Sequence, residues 1–215
     1  MEIAILVFPG FTALDAVGPY EVLCRLPGAT TAFVATAPGP VITDTGVLTL
    51  VAGLGLEDVR RPDVVVVPGG PGEVAVRAGG AALEWLRAVH ATTTWTASVC
   101  TGSLILGAAG LLAGRRATTH WLAVDQLRAL GAEPVDERVV VEEEHRLITA
   151  AGVSAGIDMG LTLAARIAGE QVAQAIQLGV EYDPQPPFDA GSPHRAPAEV
   201  VDLLRARSRF LAAQA

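Results

Sequence analysis

Cys100 stands where a β-prone run, Thr94 to Val99, gives way at once to a small-residue apolar helical pattern, TGSLILGAAG. A cysteine that only fills space behaves as a small buried hydrophobe and belongs in mid-element, among Leu and Val. At a strand-to-helix corner the free first-turn N–H groups and the positive end of the helix dipole favour a thiolate instead. Thr101, Gly102 and Ser103 are small enough to let the chain turn tightly and to leave the sulfur open to a ligand. The geometry expected is a nucleophile elbow with sulfur in place of oxygen. Cys24, among Val22, Leu23 and Leu26, reads as core.

Asp15 lies at a helix start, in LDAVGPYEVL. It is either an N-cap, a role Asp fills often, or a proton carrier for Cys100. The second role requires that the strands preceding the two residues be neighbours. A carboxyl beside a thiolate is a like-charge pair, so one proton is retained and shared. Asp15 would then be a protonated donor next to a nucleophile, suited to acid–base work. The turn Pro68-Gly69-Gly70-Pro71-Gly72 is either an ordinary loop or a source of backbone N–H groups for a developing negative charge, with the Thr101 amide as second donor. His120 invites a Cys–His pairing with Asp125 as orienter, but no spacing fixes it against Cys100, and a structural or pocket-lining role is the simpler reading. His90 and His145 read as surface residues. No His, Cys or carboxylate pair has metal-ligand spacing, and a Walker-type phosphate loop is absent.

These residues must be held by elements. Ile3–Phe8 reads as a buried strand, followed by a helix from Leu14 to about Leu26. Thr30–Ala37 and Val41–Val51 are β-rich, the latter a hairpin-like excursion. Asp63–Val67 is apolar on both faces, as in parallel sheets covered by helices on both sides. Helices are expected over Ala81–His90, Trp121–Leu130 (closed by Gly131), Ser154–Ala168, Glu170–Tyr182 and Ala198–Phe210. Arg138–Val141 and Arg146–Thr149 should form a β-hairpin. The alternation of strands and helices, without linker or repeat, predicts an α/β doubly wound sandwich over residues 1–215 as one domain. Ligands in such folds sit beyond the carboxyl ends of the strands, where Asp15, Gly69-Gly70 and Cys100 all fall.

Composition narrows the function classes. The chain has 215 residues, a formal charge of −8 and 5% aromatics. With scattered basic residues and few aromatics, it has neither the basic face nor the stacking platform that nucleic-acid binding needs. No apolar run is long enough for a membrane span, and the first strand lacks the basic lead of a signal peptide. A cytoplasmic location is expected. Two cysteines in unlike contexts do not make a disulfide framework.

LDAVGP, VVVVPGGPG and ASVCTGSLILGAAGLLAGRRATTHW, in that order, resemble the ThiJ/PfpI superfamily, relatives of the class I glutamine amidotransferases with a flavodoxin-like sandwich: a mostly parallel sheet with helices on both faces. The resemblance continues through ERVV, AGVSAGIDMGLTLAA and VEYDPQPPFDAGSP, and within the superfamily the isocyanide (isonitrile) hydratase branch is the most similar. It implies that Cys100 is the nucleophile and Asp15 its acidic partner, where protease-like and redox branches generally carry Glu. The protease-like branch has His where this chain has Thr101, which disfavours peptide hydrolysis. Gly70 and Thr101 match positions whose amides face the substrate, and Gly152 and Val153 match the loop before the helix over the nucleophile. Where the hydratase pattern has a run of glycines, this chain reads Ala150-Ala151-Gly152, a departure that bears on how freely that helix shifts.

The chemistry implied is hydration of an isocyanide to an N-substituted formamide. Cys100 attacks the soft carbon, and the nitrogen of the resulting thioimidate takes a proton from Asp15. Asp15 then activates a water. No metal or organic cofactor is needed, and the implied partners are a small-molecule isocyanide and a second copy of the chain. Two other classes stay open. One is a ligand-binding or redox-sensing domain, like the ligand domain of AraC-type regulators; the stretch after Pro193 is read as too short for their DNA-binding module. The other is a different cysteine enzyme on this scaffold, an amidase or a glyoxalase-like activity.

Overall fold

A computed structural model of the chain describes residues 1–207. In order, the elements are β1 (Glu2–Leu6), α1 (Ala13–Leu23), β2 (Thr30–Ala35), β3 (Gly39–Ile42), β4 (Thr49–Ala52), β5 (Leu54–Gly55), β6 (Val64–Val67), α2 (Glu73–Arg77), α3 (Ala81–His90), β7 (Trp95–Val99) and α4 (Gly102–Ala108). They continue with β8 (Arg116–Ala117), α5 (Val124–Ala129), β9 (Glu133–Pro134), β10 (Val139–Glu142), β11 (Leu147–Ala150), α6 (Ala155–Ala168), α7 (Glu170–Gly179) and α8 (Ala198–Arg207). Residues 208–210, the end of the helix expected to reach Phe210, lie outside the described residues.

Among the described residues the main sheet has seven strands in the order β10-β11-β7-β6-β1-β2-β5. All neighbours are parallel except the edge pair β10–β11, the hairpin that the sequence predicts. The other hairpin, β3–β4, stands outside this sheet. Ile3 to Leu6 and Val64 to Val67 are buried throughout. The physical reason is that helices cover both faces, with α1, α6 and α7 packed together and α2, α3 and α5 packed on α4. In α3, Leu83, Leu86 and Val89 recur at helical spacing on the buried side, while Arg87 and Ala88 face out. The Trp121–Leu130 helix begins as a tight 3₁₀ turn, Trp121–Ala123, before α5, and Gly131 ends it at φ +87°.

The strand order decides what can meet. The loops after β1, β6, β7 and β11 emerge side by side from consecutive strands of one sheet edge. One expectation needs correcting: β1 and β7, which precede Asp15 and Cys100, are not neighbours, because β6 lies between them.

Candidate active site

The β7–α4 corner is held from several sides. Cys100 adopts φ +56°, one of three non-glycine residues among those described with positive φ. A left-handed backbone at a non-glycine residue costs of order 1–3 kcal/mol and persists only where its surroundings fix it. Here the Cys100 N–H donates to the carbonyls of Ala150 (3.1 Å) and Ala151 (2.8 Å). Its carbonyl accepts the hydroxyls of Ser103 and Thr119, each at 3.1 Å. Gly102 is demanded by close approach, since a Cβ there would sit 2.1 Å from the Val67 carbonyl oxygen.

Asp15 reaches Cys100 by crossing the turn after β6. It occupies the first turn of α1, and the capping position belongs to Thr12. The cap reading of Asp15 is therefore withdrawn. Its Oδ2 accepts the Gly69 N–H at 2.9 Å. Gly69 lets the loops close up, because a Cβ on it would lie 2.4 Å from the Thr101 nitrogen. The glycine turn thus serves the carboxylate of Asp15 as a donor and offers no side chain to block its path to the sulfur.

Both members of the pair are fully buried, and burial dominates their electrostatics. Burial pushes the Asp15 carboxyl up to about 7, opposed by the Gly69 N–H and the Cys100 thiol. Burial likewise drives the Cys100 thiol well above its ordinary value, and the adjacent Asp15 charge adds to the rise; the Thr101 and Val153 amides oppose it. The expectation of an open, ready-made thiolate is thus corrected. Near neutral pH the sulfur keeps its proton and Asp15 sits at its midpoint, so the thiolate forms only by handing a proton across the pair.

The backbone donors differ in detail from the sequence reading. The Thr101 amide acts on the sulfur, but the Gly70 N–H is engaged by the Thr101 hydroxyl at 2.9 Å. The reason is tertiary: the turn after β6 packs against the β7–α4 corner, and Gly70, at φ +118°, aims its N–H there. Val153 supplies an amide to the sulfur from the β11–α6 loop, and Gly152 before it packs against the His120 ring.

Leu14, His120, Trp121, Arg138, Gly152 and Val153 are among the residues lining a cleft of about 1150 Å³. His120 accepts the Leu122 N–H at Nδ1 (3.3 Å), and burial lowers its pKa to about 4. The imidazole is therefore neutral at physiological pH. Asp125 is not its orienter, because that carboxylate is strongly exposed and bonded to Arg128 at 2.6 Å. His90 and His145 are partly buried rather than surface residues; His90 Nδ1 lies 2.9 Å from the Thr96 hydroxyl, toward the start of β7. Among the described residues no group of three or more His, Cys, Asp or Glu side chains is placed to hold a metal ion. No described helix is long and apolar enough to cross a membrane.

One buried carboxyl escaped the sequence reading. Glu73, in α2 directly after the glycine turn, pairs with Arg77 at 2.8 Å, and burial raises it to about 7. Its position after Pro71-Gly72, at the start of a helix too short to show periodicity, left no signal beyond its charge.

Known proteins share much of this sequence. The chain is 46% identical over 208 residues to the isonitrile hydratase of Pseudomonas putida, covering 97% of this chain and 90% of that one. It is 32% identical over 182 residues to the HTH-type transcriptional regulator CdhR of Pseudomonas aeruginosa, covering 82% of this chain and 53% of the regulator. Among solved structures, a ThiJ/PfpI family protein from Pseudomonas syringae superposes with a TM-score of 0.91 at 41% identity, covering 99% of this chain and 86% of that one. Residues 1–166 match the DJ-1/PfpI family as a whole. With the family match over residues 1–166 and 46% identity across nearly the whole of both chains, the chain belongs to the DJ-1/PfpI family.

Proposed function

We propose that this protein is an isocyanide hydratase, converting R–NC and water to the formamide R–NH–CHO through a covalent adduct on Cys100. The observation that carries the reading is the fully buried Cys100–Asp15 pair, with two amides on the sulfur and a carboxyl that titrates at about 7. An uncharged electrophile with a soft carbon suits such a desolvated thiol, whereas a charged substrate would meet a large desolvation cost. The likeness to the isonitrile hydratase supports the same substrate class.

The sulfur attacks the terminal carbon as its proton passes to Asp15, and a C–S bond forms. Asp15 returns that proton to the same carbon, giving R–N=CH–S–Cys100. Valence therefore corrects the expected thioimidate: a proton on nitrogen would leave the carbon divalent, so the new hydrogen is on carbon. The Asp15 carboxylate next takes a proton from water, whose oxygen adds to the carbon, and passes that proton to the nitrogen, giving R–NH–CH(OH)–S–Cys100 and a free carboxylate. The C–S bond then breaks, the carbonyl forms, and the hydroxyl proton returns through Asp15 to the pair. The Thr101 and Val153 amides favour the sulfur anion both as attacker and as leaving group.

The test is formamide production from a simple isocyanide by wild type and by Cys100→Ala. The reading requires formamide from the first and none from the second. The likeness to CdhR supports a second reading, a ligand-binding module, which would bind the isocyanide without turnover in either protein.

A further inference from the structure

The segment between β11 and α6 has no regular structure, yet it is tied to the cysteine corner: the Cys100 N–H donates to the Ala151 carbonyl at 2.8 Å, and two residues on the Val153 amide acts on the sulfur. A loop N–H holds a sulfur only if something fixes the loop. At its start the Ala151 N–H donates to the Arg138 carbonyl at 2.9 Å. At its far end the Arg138 side chain returns to the same loop. Its Nε donates to Asp158 Oδ2 at 2.9 Å, its Nη2 lies 2.7 Å from the same oxygen, and Nη2 also donates to Ser154 Oγ at 3.3 Å. The Tyr182 hydroxyl donates to Asp158 Oδ2 at 3.1 Å.

We propose that Arg138 is a positioning residue that holds the Val153 amide on the Cys100 sulfur, gripping the loop through its main chain at Ala151 and through its guanidinium at Ser154 and the first turn of α6. Arg138 touches neither Cys100 nor Asp15, and it belongs to the ERVV stretch for which the hydratase reading alone has no use. The pair with Asp158 is about half exposed, with side-chain accessibilities of 50% and 34%, so it contributes little to stability. Its consequence is geometric. A planar fork can engage a carboxylate and a hydroxyl together, which a lysine ammonium does less well.

The kinetic arm of the test rests on the hydratase reading. Because Val153 acts on the sulfur and not on the substrate, Arg138→Ala should lower kcat roughly 10- to 100-fold, the scale of a small misplacement, and leave KM nearly unchanged. Arg138→Lys, which still pairs with Asp158, should recover part of the loss. The second arm is independent of turnover: alkylation of Cys100 by iodoacetamide across pH, in a Cys24→Ser background. Losing a donor to the thiolate should shift that profile to higher pH, beyond what the facing Asp15 carboxyl already imposes. A merely structural role would lower the melting temperature and leave both readouts alone. A folded Arg138→Ala with parental kcat and a parental alkylation profile overturns the proposal. Should that variant fail to fold, Asp158→Asn is measured the same way, and parental values there overturn it equally. If wild type makes no formamide, the hydratase reading fails, and the alkylation profile still decides on Arg138.

Discussion

Cys24 follows the last turn of α1, and Cys100 precedes the first turn of α4. On helix dipoles alone, Cys100 should be the ready thiolate and Cys24 the reluctant one. Their surroundings oppose that order. The core reading of Cys24 is corrected: it caps the end of α1 and is only half-buried, with Arg25 Nη1 3.5 Å from its sulfur. Cys100 is fully buried against a carboxyl. A helix terminus is worth about 0.3–1 kcal/mol, whereas burying a charge can shift a pKa by several units, each about 1.4 kcal/mol. Burial wins at Cys100. The contrast shows a nucleophile defined by a shared proton and by seclusion, whereas the half-buried Cys24 has neither.

The largest expected effect comes from exchanging sulfur for oxygen at Cys100. Cys100→Ser should lower formamide production by on the order of 10³-fold or more, as removal of a nucleophile does, with the fold retained by circular dichroism. Near wild-type turnover in that variant would end the covalent mechanism.

Asp15→Asn sharpens the other half of the pair. Turnover should fall on the order of 10²-fold, the scale of a lost proton carrier, while Asn keeps an acceptor for the Gly69 N–H. Stability should move the opposite way. The Asp15 carboxyl titrates at about 7 in the fold against 3.8 ordinarily, so the folded state binds its proton more tightly and loses stability as pH rises from about 4 to about 7. Asp15→Asn removes that loss, about 4 kcal/mol for a rise of roughly three units. Its melting temperature should therefore exceed the parent's at about pH 8, and the advantage should shrink toward pH 4. A lower melting temperature at pH 8 would contradict the buried-carboxylate picture.

Seclusion makes a third prediction about the two thiols. A bulky maleimide should label Cys24 about tenfold faster than Cys100 in the native protein, because thiol reactivity needs both thiolate and access. An isocyanide-sized electrophile should reverse the preference, and peptide mapping by mass spectrometry reads both. Equal rates with both reagents would erase the comparison. The smallest effect belongs to Cys24→Ser, where stability should stay within about 0.5 kcal/mol of the parent in chemical denaturation and turnover should not change.

Legibility in the sequence followed the length and regularity of each element. Val64–Val67, α3 and the β10–β11 hairpin carry enough periodic apolar residues to be read directly. The parallel pair β8–β9 and the short helix α2 do not, since two or five residues show no period. At the site, Cys100 was legible as a corner, because a run of β-prone residues stops where small ones begin. The pairing of Asp15 with Cys100 was read as one of two roles, but its route was not legible, because the carboxyl crosses the intervening β6 turn, which no local pattern encodes. The engagement of the Gly70 N–H by Thr101 was hidden for the same reason.

By itself, then, the sequence determined the alternating architecture and the residue types offered at its carboxyl edge, because hydrophobic period and turn chemistry act over a few neighbours. Only the tertiary structure decided their state. Which strands lie side by side, how deeply the thiol and carboxyl are buried, and which amide reaches the sulfur all depend on contacts between residues far apart in the chain. Burial, not local sequence, keeps the proton on Cys100 and raises Asp15 to about 7.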